Sequence, residues 1–183
     1  MAMTPGDTIY AIKPLPESAL AVDVGVSGLR KGKHLFFFEQ YRGELAYDPE
    51  DPLALRMRLE IDASSVHCRS STSQARENEE FARWARREAL KAQAHPTITF
   101  TSTAVSPKPL RGFSVEGNLS VGGIARPIKA NVVFGVPKNG RLQVDADATV
   151  PLSQFEIPSR TSLMGLIRTE DQVLLRALLW CTR

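Results

Sequence analysis

The chain has 183 residues, of which 23 are basic and 20 acidic, for a formal net charge of +3. That length suits one well-filled domain, and no Gly/Ser-rich linker or shift in composition argues for two. The basic residues are scattered along the chain, which gives no case for nucleic acid, and the apolar runs are too short for a membrane-spanning helix.

The amino-terminal stretch MAMTPGDTIYAIK lacks the charged and apolar regions of a secretory signal, so the expectation is a soluble cytoplasmic protein. Cys68 and Cys181 lie far apart in sequence and are expected as free thiols in that reducing compartment.

Side chains two apart share a face of a strand, so alternation is the signal to follow. Thr8 to Ile12 alternates and is ended by Lys13-Pro14-Leu15-Pro16. Ser18 to Val26 comes next, with Leu20, Val22, Val24 and Val26 on one face. After a turn at Lys31-Gly32-Lys33, Phe36 and Phe38 are expected to face inward and Arg42 and Glu44 outward. A bulge near Tyr41 is able to switch the phase. Asp48 to Pro52 reads as a turn, and Arg56 to Asp62 then alternates without a fault, Met57, Leu59 and Ile61 pointing in.

From Ser71 to Ala94 the period changes. The stretch contains no Pro or Gly, is rich in Ala, Glu, Gln and Arg, and predicts a helix over about residues 73–93 with Ser73 as N-cap. Phe81, Trp84, Ala85 and Ala92 share one side of it, whereas Glu88 interrupts that side and Leu90 lies opposite, which predicts a break near Glu88. Its many charges read as a solvated face.

His95-Pro96 ends the helix and starts a strand carrying Ile98 and Phe100. Gly112 to Val136 reads as a hairpin turning at Gly122-Gly123. One face carries Phe113, Val115, Gly117, Leu119 and Val121, then Ile128, Ala130, Val132, Phe134 and Val136. Leu142 to Val150 follows with Leu142, Val144, Ala146, Ala148 and Val150 in one row. Pro151 to Ile157 predicts a short helical turn, and Asp171 to Trp180 a closing strand with Val173, Leu175, Ala177 and Leu179 inward. About eight alternating segments with one dry face each predict an antiparallel sandwich or an up-and-down barrel.

Three blocks in order resemble the YceI-like family: Ile61-Asp62-Ala63-Ser64-Ser65-Val66, the run His95 to Thr103, and Gly117 to Ile128. Tyr10 to Pro49 resembles the family's start, and Leu152-Ser153-Gln154-Phe155-Glu156-Ile157 its short segment before the last strand. Arg76-Glu77 and Arg83-Trp84 stand near the positions of an Arg-Asp and a His-Leu pair in the family's helix. The resemblance implies an all-β, eight-stranded antiparallel, lipocalin-like barrel over residues 1–183, with the helix inserted near its mouth. It also implies a lumen that binds a polyisoprenoid, an isoprenoid quinone or a long-chain fatty-acyl lipid, with no other cofactor.

On this reading the lumen contacts are Leu20, Val22, Val24, Phe36, Phe38, Met57, Leu59, Ile61, Trp84, Ile98, Phe100, Phe113, Val115, Leu119, Val132, Phe134, Val144, Ala146, Ala148, Leu175 and Ala177. The residues alone leave two outcomes open. Ala130, Ala146, Ala148, Ala177 and Gly117 are small for inward positions, and they either leave a channel or taper a filled barrel. A channel that buries roughly 15 methylene equivalents at about 0.8 kcal/mol each gains on the order of 12 kcal/mol before the cost of ordering the ligand.

Catalysis finds no residue set. His34, His67 and His95 lack metal-ligand spacing, and the adjacent His67 and Cys68 face opposite ways on a strand. Nucleophile elbows and phosphate-binding glycine loops are absent from the sequence. The expectation is therefore a non-enzymatic lipid-binding barrel concerned with storage or transport. The alternative is a filled barrel whose helix face around Arg83, Arg86 and Arg87 contacts a protein or an anionic membrane. A homodimer is compatible with either.

Overall fold

The computed structural model describes residues 8–28, 31–69, 75–162 and 167–183. Its strands are β1 (Thr8–Ile12), β2 (Ala19–Gly28), β3 (Gly32–Phe38), β4 (Tyr41–Tyr47), β5 (Arg56–Asp62) and β6 (Val66–Arg69), followed after the helix by β7 (Thr97–Pro107), β8 (Phe113–Val121), β9 (Ile124–Phe134), β10 (Arg141–Pro151), β11 (Thr161–Ser162) and β12 (Ile167–Thr182). All pairings are antiparallel.

The sheet closes into an eight-stranded barrel because the first six strands form three broken staves. β1 and β2 lie end to end along one edge of β12, β4 and β3 lie along them, and β5 and β6 along those in turn. Pro14 and Pro16 break the first stave by withholding ladder donors. The second breaks at Glu39-Gln40 and the third at a 3-10 turn, Ala63–Ser65.

These last two breaks are tied together. Asp62 accepts the Ser64 amide at 2.8 Å, and the Ser65 hydroxyl accepts the Gln40 amide at 3.1 Å. The inward row passes from Phe36 and Phe38 to Tyr41 and Leu45 on one stave, and from Leu59 and Ile61 to Val66 and Cys68 on its neighbour. Both change phase at one level, so neither turns its apolar row toward solvent. The sequence reading of Phe36 and Phe38 inward with Arg42 and Glu44 outward holds through this switch.

Helix α1 (Ala75–Trp84) continues as a π turn, Ala85–Ala89. The expected start at Ser71 and the Ser73 cap lie outside the described residues. The expected break near Glu88 is instead a widening, with the Leu90 amide bonding the Ala85 carbonyl at 2.8 Å. That widening rotates Leu90 off the opposite side of a regular wheel and buries it to 8% exposure.

Gly122 and Gly123 have φ of +57° and +83°, the left-handed pair that a two-residue hairpin requires. β9 starts directly after them at Ile124, so Arg126 and Pro127 are strand residues. The ladder between β9 and β10 covers only Phe134 to Asn131 opposite Val144 to Asp147. Pro127 lies in the unladdered part, where its missing N–H costs nothing on that side. A 3-10 turn, Leu152–Phe155, packs against β9 there.

Antiparallel alternation places α1, the β8–β9 turn and the Leu152–Phe155 turn at one end of the barrel. The other end is filled. Ile12, Leu45, Leu142, Leu179 and Cys181 are at most 2% exposed, and Phe134 stacks on Tyr47 with ring centroids 4.4 Å apart. Val136, expected in the inward row, is 89% exposed because β9 ends at Phe134 and the chain turns outward.

Candidate binding cavity

Above the filled end the barrel encloses a cavity of about 210 Å³. Its walls are built from the inward rows. β2 supplies Leu20 and Val22, and β3 supplies Phe38. Met57, Leu59 and Ile61 come from β5, Ile98 and Phe100 from β7, and Val115 and Leu119 from β8. Val132 and Phe134 come from β9, Ala146 and Ala148 from β10, and Leu175 and Ala177 from β12.

Five other expected residues lie elsewhere. Val24, Phe36 and Val144 are core residues at 5% exposure or less, away from the cavity wall, and Phe113 packs on Phe134 at 5.8 Å. Trp84 packs against the core and borders a second pocket, between α1 and the segment 158–161, rather than the cavity. Burial of an inward row is a property of the strand, whereas contact with the cavity depends on how far the neighbours fill the barrel at that height.

The cavity also uses residues outside that set. Leu90 arrives through the π turn, and Leu152, Phe155 and Ile157 through the segment beside β9. A 3-10 turn eclipses residues three apart, so the spacing of Leu152 and Phe155 was a readable signal for a shared face. Leu55, Val121, Ile128, Ala130, Val150 and Val173 complete the apolar wall.

The small residues divide. Ala130, Ala146, Ala148 and Ala177 border open space, and the wall is thin enough there that outward-facing Asp147, Arg176 and Ala21 also bound the cavity. Gly117 leaves no room of its own, because the Phe100 ring occupies the place of its missing side chain.

Aside from Asp147 and Arg176, every lining residue is apolar. Outside the wall, Asn131 donates to Asp147 at 2.8 Å and Lys108 to Asn131 at 2.6 Å, while Arg176 pairs with Asp23 on β2. Burial pushes the Cys68 thiol up to about 11 and Cys181 up to about 12, so both stay protonated at neutral pH. Among the described residues no three His, Cys, Asp or Glu side chains converge on a metal-sized site. Such a cavity can desolvate an apolar chain.

The architecture is a closed eight-stranded antiparallel barrel with one packed end and an apolar lumen. The chain belongs to the YceI-like family, whose domain matches residues 17–178. It is similar to a UPF0312 protein of Pectobacterium atrosepticum, 31% identical over 66% of this chain and 61% of the relative. The chain thus matches less than two thirds of that relative's length. A UPF0312 protein of Yersinia enterocolitica is 25% identical over 93% of this chain and 92% of the relative. In fold the chain resembles BcnA of Burkholderia cenocepacia, with TM-score 0.69, 17% identity and coverage of 89% and 96%. It also resembles a polyisoprenoid binding domain from Saccharophagus degradans, with TM-score 0.63, 12% identity and coverage of 96% and 99%. Among the described residues no helix is long and apolar enough to cross a membrane.

Proposed function

We propose that this protein binds a long apolar lipid, a polyisoprenoid or isoprenoid-quinone chain, in its lumen and stores or carries it without chemical change. The observation that carries this reading is the cavity of about 210 Å³ with its apolar walls, kept open by alanines at 130, 146, 148 and 177. An empty apolar cavity of this kind costs stability, and an apolar chain that fills it recovers dispersion contacts as well as hydrophobic transfer. The likeness to the Saccharophagus domain supports the ligand class. The two buried free thiols are in keeping with a reducing compartment, and we assign the cytoplasm on that ground.

The test is native mass spectrometry of gently purified protein, followed by organic extraction. A co-purifying polyprenyl lipid, or uptake of an added polyprenyl probe at one per chain, is the expected result. A barrel that neither carries nor takes up such a chain overturns the reading.

A further inference from the structure

At the packed end of the barrel, two neighbouring loops each hold a large apolar side chain clear of the protein. Leu110, between β7 and β8, is 100% exposed, and Val136, between β9 and β10, is 89% exposed. The two loops leave the same end of paired strands, since Phe113 of β8 lies opposite Val132 of β9. Lys108 of the first loop donates to Asn131 of β9 at 2.6 Å. We propose that the two tips form a docking surface for an anionic lipid bilayer. This surface is separate from the lumen and stands whether or not the lumen holds a lipid.

Backbone bonds hold both tips outward. The Lys108 amide donates to the Gly112 carbonyl at 3.1 Å, which closes the first loop around Pro109, Leu110 and Arg111. In the second, the Gly135 amide donates to the Gln143 carbonyl at 2.9 Å, and Lys138 and Arg141 exchange amide bonds at 3.0 and 2.9 Å. Asn139 and Gly140, with φ of +52° and +70°, make the tight turn between them.

Single exposed apolar residues are ordinary on a protein surface, so it is the charge around these two that assigns the partner. Residues 107–112 and 135–141 contain Lys108, Arg111, Lys138 and Arg141 and no acid. Arg141 is taken up by Glu17 at 3.2 Å and Lys108 by Asn131. Arg111 and Lys138 remain, both exposed and without an ion-pair partner among the described residues. Arg183, exposed as well, is tied to the same turn by its amide bond to the Gly140 carbonyl at 2.8 Å.

The acids at this end, Asp48, Glu50 and Asp51, lie in the segment before β5, which β7 separates from β8. Half-exposed Leu53 lies among them and is no part of the surface. Neither Leu110 nor Val136 lines the cavity or the second pocket. Apolar tips that stand proud with cations beside them suit a plane that is negative at its face and apolar just beneath. Docked this way, the barrel turns α1 and the β8–β9 turn away from the bilayer.

Co-sedimentation of the full chain with phosphatidylcholine vesicles, with and without phosphatidylglycerol, tests the surface. Binding should require phosphatidylglycerol and fade as salt is raised. Leu110→Ser with Val136→Ser should weaken it about tenfold or more at an unchanged urea midpoint. Arg111→Gln with Lys138→Gln should weaken it to a similar degree. Arg83→Gln with Arg87→Gln, on the helix at the other end, should leave it as it was. Cys68 and Cys181 are 7% and 0% exposed, so a polarity-sensitive thiol dye reports on one added cysteine. On phosphatidylglycerol vesicles the dye should shift to the blue in Leu110→Cys and stay unshifted in Arg87→Cys. That readout uses neither serine substitution and stands even where the serine variant folds poorly.

An absence of binding to phosphatidylglycerol vesicles overturns the proposal, and so does binding that survives both loop variants. Binding lost in the helix variant, or a blue shift confined to Arg87→Cys, makes α1 the membrane face and overturns it too. Equal binding to vesicles without phosphatidylglycerol overturns the assignment of an anionic partner.

Discussion

Gly117 of β8 lies flat against the ring of Phe100 on β7: a Cβ at 117 would stand 2.5 Å from two ring carbons and 2.6 Å from the Thr101 carbonyl oxygen. Gly117→Ala must therefore move an aromatic ring and a strand backbone. It should cost about 1–3 kcal/mol, read as a lower urea midpoint with an unchanged slope. Because Phe100 lines the cavity, a ring displaced into it should also make the same variant take up less polyprenyl probe.

Ala148 makes the opposite case. It is 4% exposed and borders open space rather than a neighbouring ring. Ala148→Phe should fill the lumen, abolish probe uptake and lower the urea midpoint less than Gly117→Ala does. Uptake measured beside urea unfolding of both variants checks the ordering.

Asp23 is 4% exposed on the outer face of β2; one carboxylate oxygen meets Arg176, and the other has no partner among the described residues. Arg176→Met strands a buried carboxylate and should cost about 2–3 kcal/mol, toward the lower end for such pairs because the Arg176 side chain is 54% exposed. Replacing Asp23 by Ala in the same chain should return part of that loss. A double-mutant cycle by urea unfolding gives the coupling.

His34, 8% exposed, sits against Phe81 with ring centroids 3.8 Å apart, and its Nδ1 has no partner among the described residues. Burial holds its pKa below the ordinary 6.5; Glu77 opposes the shift and Arg160 adds to it. The fold therefore prefers the neutral ring, while the unfolded chain takes up a proton near pH 6.5. Stability from this site is intact above that pH and lost as pH falls from it to the depressed folded value. Glu17 and Glu60, whose pKa values lie below 4.5, lose theirs only in more acid solution. Urea midpoints between about pH 7 and 5 should thus fall in the parent and fall less in His34→Phe.

Strand alternation carried most of the wall. Arg56 to Asp62 reads in the sequence as it folds, because Met57, Leu59 and Ile61 need only the two-residue period of a strand. Phase changes were harder. The switch between Phe38 and Tyr41 depends on Gln40 meeting Ser65 of the adjacent stave, a contact no local window contains. Leu90 was misplaced by a regular helical wheel, since a single π turn rotates everything after it. Val136 continued an alternating row past the point where the ladder ended.

The candidate site was legible as a set of rows and not as a volume. Gly117 and Ala148 look alike in sequence, as small residues on inward faces. One is filled by a ring from the next strand and the other is not, and that difference belongs to the neighbour's side-chain direction. Trp84 packs against the core yet borders the second pocket and not the cavity, because the side of a helix that looks apolar in projection is wider than the strip that reaches the lumen.

The short ladder between β9 and β10 governs the girth of the lumen. A cylinder laced by hydrogen bonds all the way round has a fixed girth, since it can widen only by breaking a row of them. Beyond Asn131 and Asp147 this wall has no such row, and the contacts of Leu152 and Phe155 stand in for it. Girth at that height is set by side chains, which exchange one packing for another at little cost, so this end of the barrel can widen while the register of every other strand stays as it is.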